Sequence, residues 1–596
     1  MTQCGPQTVY AEQLDAEKYR GKGETFKEAT SRVAEVLSDG PEHYRTVRDI
    51  TLDQRFLFGG RIRAAIGSSK NTTAYNCFVS GIIPDSFTAT DNDEGSSIMA
   101  RATEAAMTMR MGGGIGYDFS TLRPRGALIK KLMSHSSGPV AFMDIYNSVC
   151  RATSSAGNRR GAQMGVLRVD HPDIMEFVQA KQDEHTLTGF NISVAITDEF
   201  LECLYAGKPF ALRHGGIVYR EVDPEALWEA IMRSNWDWGE PGVIFIDTIN
   251  KRNNLWYCEE ITTTNPCSEQ PLPPFGACLL GSFNLVKYLT RQTGKTFSFD
   301  YDYLRHDVAP IVRAMNNVIE AARYPLWEQE HEAKCKRRMG IGVTGLANTL
   351  EACGMPYGSS AFLDAEAQIL NTIQRETYLA SVQLAQESGP FPMYECDRYL
   401  NGQHIKTLDD DVRDLIRKHG IRNSHCTSIA PTGTISQTAD NVSSSCEPVY
   451  RWQQKRDVFM EAGKQAVDLY DYGFAKLGVR GRRAAFGEVT AKQHVDVLVR
   501  AQSYVDSAVS KTINVTGDMP WEDFKSVYTV AHAKGAKGCT TFNSDGKRTG
   551  IFHPAPEPTN LPFPTTTSEG TMGLVVGEEA YGACSFDPAT GRRTCE

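Results

Sequence analysis

Short apolar runs alternate with longer amphipathic segments along most of this chain, and that alternation restricts the fold more than any other feature. Ile192 to Ile196 and Val243 to Ile246 are brief apolar runs of the kind that form buried strands. Asp223-Pro224 sets an N-cap acid and a first-turn proline ahead of Leu227, Trp228, Ile231 and Met232, which predicts a helix. A second helix is predicted from about Leu363 to Ser388, stopped by Gly389-Pro390. Strands interleaved with helices imply an α/β fold with one large continuous domain, and the sequence carries no repeat of solenoid period. A length of 596 residues allows roughly three to six ordinary domains, or one large barrel with additions.

The ends differ from the middle. Residues 1–55 are polar with a helical pattern around Phe26, Val33 and Val36, and read as a small helical N-terminal region. Residues 56–552 form the main domain. From 553 to 596 the chain turns to Pro554, Pro556, Pro558, Pro562 and Pro564, then Thr565 to Thr567, which predicts a flexible tail. Its final stretch nevertheless carries Cys584 and Cys595.

Composition excludes several classes. With 41% hydrophobic and 23% charged residues the chain is globular, not collagenous or wholly disordered. A net charge of −9 argues against a nucleic acid or an anionic membrane as partner. No run reaches the ~18 apolar residues that would span a bilayer, and the N-terminus lacks a signal-peptide pattern, so a soluble, cytoplasmic protein is expected. Fifteen cysteines without an export signal are expected to be reduced thiols, some of them catalytic. Neither CxxC nor HExxH occurs, so the usual zinc signals are missing and no side-chain metal site is expected.

Three segments invite a chemical reading. Gly340-Ile341-Gly342-Val343-Thr344-Gly345 matches a dinucleotide-binding fingerprint, with Asp364 placed as a ribose-binding acid, although the charged run Lys334 to Arg338 upstream is not the buried strand such a turn requires. Gly112-Gly113-Gly114 is either a turn or a place where backbone approaches a ligand. Thr264-Asn265-Pro266-Cys267-Ser268-Glu269-Gln270 puts an amide, a thiol and a carboxylate at alternate positions. An extended segment would turn all three to one side, a set suited to chemistry on a vicinal diol. A turn around a buried structural cysteine remains the other reading.

Taken in order, Tyr75-Asn76-Cys77-Phe78-Val79, Asn265-Pro266-Cys267-Ser268-Glu269, Gly276-Ala277-Cys278-Leu279-Leu280-Gly281-Ser282-Phe283-Asn284-Leu285 and Ala430-Pro431-Thr432-Gly433-Thr434-Ile435-Ser436 resemble the catalytic chain of a ribonucleotide reductase. The resemblance runs from about residue 56 to 552. The region Gly538-Cys539-Thr540-Thr541-Phe542-Asn543 lacks the Tyr-Tyr relay of enzymes served by a separate radical-generating subunit, and Tyr581-Gly582-Ala583-Cys584 is not a glycyl-radical motif. What remains resembles class II, which uses adenosylcobalamin.

That resemblance implies a ten-stranded α/β barrel with a central finger loop. It implies Cys267 as the thiyl radical, Glu269 as the acceptor of the 3′-hydroxyl proton, Asn265 as a ligand of the diol, and Cys77 and Cys278 as the pair that becomes a disulfide. Asn76, Gly113, Gly114 and Thr432 to Ser436 (Thr432, Gly433, Thr434, Ile435, Ser436) are expected around the substrate, the last five as a phosphate cradle. Cys584 and Cys595 are expected to shuttle electrons from thioredoxin or a similar reductant. A deoxynucleotide or ATP effector is expected near Asp144, Arg151 and Arg159. With only 76 residues before Cys77, no full ATP cone is expected. The substrate is expected to be a ribonucleoside diphosphate, and the chain a monomer or homodimer. A nicotinamide oxidoreductase, another radical enzyme of the same superfamily and a non-catalytic binding protein are the competing readings.

Overall fold

The computed structural model describes residues 4–88, 96–154, 162–183, 185–292, 297–460, 463–543, 545–547, 584–587 and 592–595. Three N-terminal helices come first: α1 (Val9–Tyr19), α2 (Phe26–Val36) and α3 (Pro41–Leu52). α2 starts where the sequence dictates, because Thr25 and Glu28 form a reciprocal capping box, a device worth about 1 kcal/mol. This region shares the protein's main core: Val33, Ala34, Val47 and Ile50 pack in the same apolar cluster as Phe78, Phe119 and Phe283.

The strands that position the site are β1 (Phe56–Phe58), β2 (Cys77–Val79), β3 (Gly114–Asp118), β4 (Gln163–Arg168), β5 (Phe190–Ile196), β6 (Gly242–Phe245), the short pair β7 (Thr263–Thr264) and β8 (Pro271–Leu272), β9 (Ala277–Cys278), β10 (Leu280–Asn284), β11 (Gly340–Thr344), β12 (Thr512–Val515) and β13 (Gly538–Asn543). β2 to β6 pair in parallel, each with the next. β6 then meets β13 antiparallel, and β13 runs parallel to β12. At the other edge β2 pairs antiparallel with β9, which leads into β10 after one residue, and β10 runs parallel to β11. Single parallel bridges, Ile341 to Thr427 and Ile429 to Val509, carry the pairing from β11 through residues 427–430 to the segment that enters β12.

Helices cover the outer face: α4 (Ile98–Arg110), α5 (Pro139–Ser154), α6 (Pro224–Trp238), α7 (Tyr301–Ala321), α8 (Leu346–Ala352), α9 (Ser360–Ser388), α10 (Gly433–Thr438) and α11 (Ala491–Ser503). α6 carries the predicted Asp223 cap and ends on Gly239 in the left-handed region. α9 starts before the expected Leu363 because the Ser359 hydroxyl accepts a hydrogen bond from the amide of Phe362. Strand residues alternate between two environments. Phe119, Leu167 and Ile192 join the core under the helices, while Met164, Val166, Ala195 and Ile244 form a separate inner cluster. No helix among the described residues is long and apolar enough to cross a membrane.

The glycine fingerprint at Gly340 is not a nucleotide turn. Gly340 to Thr344 is strand β11 itself, and its glycines permit close approach: a Cβ on Gly340 would fall 2.4 Å from Gln270 Nε2, and one on Gly342 2.3 Å from the Ser428 carbonyl oxygen. Gly345, at φ +77°, caps α8.

Candidate active site

Asn265, Cys267 and Glu269 sit on a tight turn between β7 and β8, not on the extended segment that alternation implied. The Ser268 amide donates to the Asn265 carbonyl at 3.0 Å, Ser268 has φ +65°, and the Asn265 amide donates to the Gln270 carbonyl at 3.1 Å. The Asn265 side chain tightens this turn, its Oδ1 accepting from the Gln270 amide at 3.0 Å. Cys267 is 1% exposed, and Asn265 and Glu269 are fully buried.

Two sets of contacts hold the turn. Toward the early strands, Thr263 Oγ1 donates to the Tyr117 carbonyl at 3.2 Å, and Asn191 Nδ2 donates to the Pro266 carbonyl at 3.3 Å. Toward the late ones, the Glu269 carbonyl accepts from Ser428 Oγ at 2.8 Å and from the Ala508 amide at 2.9 Å. Gly116 makes the crossing possible, since a Cβ there would lie 1.9 Å from the Thr264 carbonyl oxygen. Gly116 and Ser428 were missed by residue chemistry alone; the only sequence signal was the glycine density after Met111.

Cys77 and Cys278, 201 positions apart, are register partners across β2 and β9. Directly opposed residues of an antiparallel pair have Cα atoms ~4.5–5.5 Å apart, inside the range a disulfide accepts. Both are present as thiols, whereas Cys267 is disulfide-bonded, so chemistry at its sulfur belongs to the reduced form. The three cysteines share one buried cluster with Val79, Ala162, Leu272, Leu280 and Ala430. Burial first, then the Glu269 charge and Cys77, push the Cys278 thiol well above its usual range.

Asn76 and Gly114 border this cluster. The Asn76 carbonyl accepts from the Gly114 amide at 3.0 Å, and a Cβ on Gly114 would sit 3.3 Å from both Cys77 Sγ and Pro266. Gly113 faces Phe78 and Thr108, away from the thiols. Two residues beyond Ala430, Thr432 adopts φ +54° and opens α10. Its hydroxyl is not offered to solvent: it accepts from the Ser445 amide at 2.7 Å and lies 3.0 Å from Thr344 Oγ1. Ser436 Oγ is likewise engaged, with the Gly433 carbonyl and Ser444 Oγ, both at 2.9 Å. Gly433 and Thr434 are buried in the first turn, and Ile435 packs on Leu57 and Val286. These two hydroxyls therefore have partners within the loop that they shape.

Asp144 and Arg151 lie on the exposed face of α5, away from the thiol cluster, and Arg159 falls outside the described residues. Of the tail, residues 553–583 also fall outside them. Cys584 and Cys595 are register partners in a short hairpin, β14 (Cys584–Asp587) with β15 (Arg592–Cys595), and β15 comes against α10.

The family model for the ribonucleotide reductase barrel domain matches residues 76–478 and 468–542, and this chain belongs to that family. It is 34% identical over 527 residues to the vitamin B12-dependent ribonucleoside-diphosphate reductase of Mycobacterium tuberculosis strain H37Rv, covering 83% of this chain and 71% of that protein. A protein of the same name from Thermoplasma acidophilum is 33% identical over 487 residues, covering 76% of this chain and 60% of its own length. The vitamin B12-dependent ribonucleotide reductase of Streptomyces clavuligerus is 26% identical over 612 residues, covering 89% and 62%.

Proposed function

We propose that this chain reduces ribonucleotides, specifically ribonucleoside diphosphates, to 2′-deoxyribonucleotides by a thiyl-radical route that depends on adenosylcobalamin. The observation that carries the reading is the pairing of Cys77 with Cys278 in register, with Cys267 in the same buried cluster. The similarity to vitamin B12-dependent ribonucleoside-diphosphate reductases supports both the substrate and the cofactor.

The closed circuit of strand pairings, five parallel strands facing five others, supports a ten-stranded barrel with the Asn265 to Gln270 turn as its finger loop. Residues 1–55 then form a helical approach and 553–596 a tail. The surroundings of Cys267 fit an uncharged radical source: Ala162, Leu272, Leu280 and Ala430 share its cluster, and the orphaned Nδ2 of Asn265 is left for the substrate diol. When bound, adenosylcobalamin supplies the hydrogen-abstracting radical that makes Cys267 a thiyl.

Cys267 then takes the 3′ hydrogen while Glu269 accepts the 3′-hydroxyl proton and Asn265 holds the diol. The 2′-hydroxyl leaves as water with one proton from the Cys77 and Cys278 pair, the other thiol hydrogen goes to C2′, Glu269 returns its proton to the 3′ oxygen, and the pair, having given two electrons, closes to a disulfide. Cys267 returns its hydrogen to C3′. The raised pKa of Cys278 keeps that sulfur protonated until its proton is needed.

The Thr432 to Ser436 turn would cradle the diphosphate through backbone amides. Cys584 and Cys595, register partners along the hairpin backbone, would serve in reduced form to re-reduce the active-site pair for thioredoxin. Asp144 and Arg151 on α5 would face a nucleotide effector. No separate radical-generating subunit is needed on this reading.

The test is an anaerobic assay of ribonucleoside diphosphate reduction with and without adenosylcobalamin. Deoxynucleotide that forms only with the cofactor supports the proposal. Reduction without it, or none with it, contradicts the cofactor assignment.

A further inference from the structure

Along β9 and β10, Leu279 and Phe283 enter the outer core while Cys278 and Leu280 enter the thiol cluster, so the alternation carries Ser282 and Asn284 to the inner face as well. Asn284 is fully buried, yet among the described residues neither its Oδ1 nor its Nδ2 has a partner. Its backbone amide is satisfied, donating to the Arg55 carbonyl at 2.9 Å. A buried primary amide with both ends unpaired is costly, and native chains rarely keep one without a use.

Its surroundings indicate the use. Asn284 pairs in register with Thr344, whose hydroxyl meets Thr432 Oγ1 at 3.0 Å and donates to the Ser443 carbonyl at 3.1 Å. A Cβ on Gly345 would lie 3.3 Å from Asn284 Oδ1, so glycine there leaves the amide room. The hydroxyls beside it are taken up by one another and by the loop backbone, which leaves Asn284 Nδ2 as the side-chain donor available to a ligand there. Asn284 stands six residues beyond Cys278, on the side of the thiols where Thr344 and Thr432 lie, and the reading above directs the phosphate end of the same nucleotide to that side.

We propose that Asn284 binds the terminal phosphate of the ribonucleoside diphosphate. Nδ2 donates to a phosphoryl oxygen, Oδ1 accepts from a water that enters with the phosphate, and the side chain distinguishes diphosphates from monophosphates. This rests on the ribonucleotide reading above.

The test is equilibrium dialysis of the full chain with CDP and with CMP, each without cobalamin. Wild type should bind CDP more tightly. Asn284→Leu should lose about tenfold in CDP affinity with CMP unchanged, and Asn284→Asp should lose more, because a carboxylate would face the phosphate. Equal effects on both nucleotides, or none, would make Asn284 structural and overturn this proposal alone. A wild type that binds neither nucleotide would overturn the ribonucleotide reading itself. If Asn284→Leu does not fold by thermal unfolding, Asn284→Ser takes its place in the same comparison.

Discussion

The two runs of strands that flank the Cys267 turn are held together by different means. From β2 to β6 the early run is a backbone ladder, with each strand paired to the next over several residues. In the late run backbone bonds also join residues 425–429 to their neighbours, the Ile341 amide donating to the Cys426 carbonyl at 2.9 Å and the Ser510 amide to the Ile429 carbonyl at 2.8 Å, but buried side chains add a second set of ties. Asp506 accepts from the amides of Cys426 and Thr427 at 2.7 and 3.0 Å and from the Tyr378 hydroxyl at 2.8 Å. Lys511 pairs with Glu447, whose carboxylate also accepts from the Thr512 amide at 2.7 Å. In the late run, then, backbone pairing is reinforced by buried polar side chains, and the hydroxyl-rich loop belongs to that part. The early run fixes Cys77 by register, and the late run shapes the place where the rest of a substrate would lie.

The comparison can be broken at the turn that both runs grip. Glu269→Gln should leave nucleotide binding intact and slow the chemical step by about 10²–10⁴-fold, since an amide cannot accept the 3′ proton. A change confined to apparent affinity would remove Glu269 from the base role.

Next in size is the second set of ties. Asp506→Ala strips the partner from two buried amides and a hydroxyl, and should destabilise the protein by about 3–5 kcal/mol, read by denaturant unfolding. Hydrogen exchange should then loosen around residues 427–430 before β2 to β6. Uniform loosening would show that the two runs are not held differently.

Glu351 sharpens the same point through pH. Located in α8, it accepts from the Arg482 amide at 2.8 Å, and burial lifts its carboxyl to about 7. Because the folded pKa lies above the unfolded one, its favourable contribution is complete below about 4.5 and is lost as pH rises through about 7. Glu351→Gln should therefore gain stability over wild type across that window, by up to about 3 kcal/mol. A pH-independent difference would contradict the buried, neutral carboxyl.

The smallest effects come from the glycines of close approach. Gly116→Ala presses on the Thr264 carbonyl from the ladder side, and Gly342→Ala presses on the Ser428 carbonyl from the other. Each should cost about 1–3 kcal/mol by overpacking, with Gly116→Ala the larger because its Cβ would lie 1.9 Å from the carbonyl oxygen against 2.3 Å at Gly342. The reverse order of unfolding midpoints would count against the contrast.

Much of this was legible from residue order. Caps and breakers marked α6 and α9, and alternating elements implied an α/β fold, because those signals are local. At the centre the sequence did not record the shape: the turn at Asn265 depends on its side chain closing on Gln270 and on Gly116 yielding space, neither of which period-two spacing shows. The same spacing made a strand at Gly340 resemble a nucleotide turn, since glycine serves close packing and tight turns equally well. The pairing of Cys77 with Cys278 across 201 positions was legible only through resemblance, as no local signal sets a long-range register. Asn284 was invisible, because an unpaired amide is a property of surroundings.

The central claim is that Cys267 starts a reaction whose electrons come from Cys77 and Cys278. The direct measurement uses the full chain with Cys584→Ser and Cys595→Ser, all thiols reduced beforehand, mixed anaerobically with adenosylcobalamin and a ribonucleoside diphosphate and given no other reductant. The prediction is a single deoxynucleotide per chain, with a Cys77–Cys278 disulfide in matching amount by peptide mass mapping. Deoxynucleotide formed without that disulfide, or an undiminished yield when Cys267→Ser is added, would contradict the account.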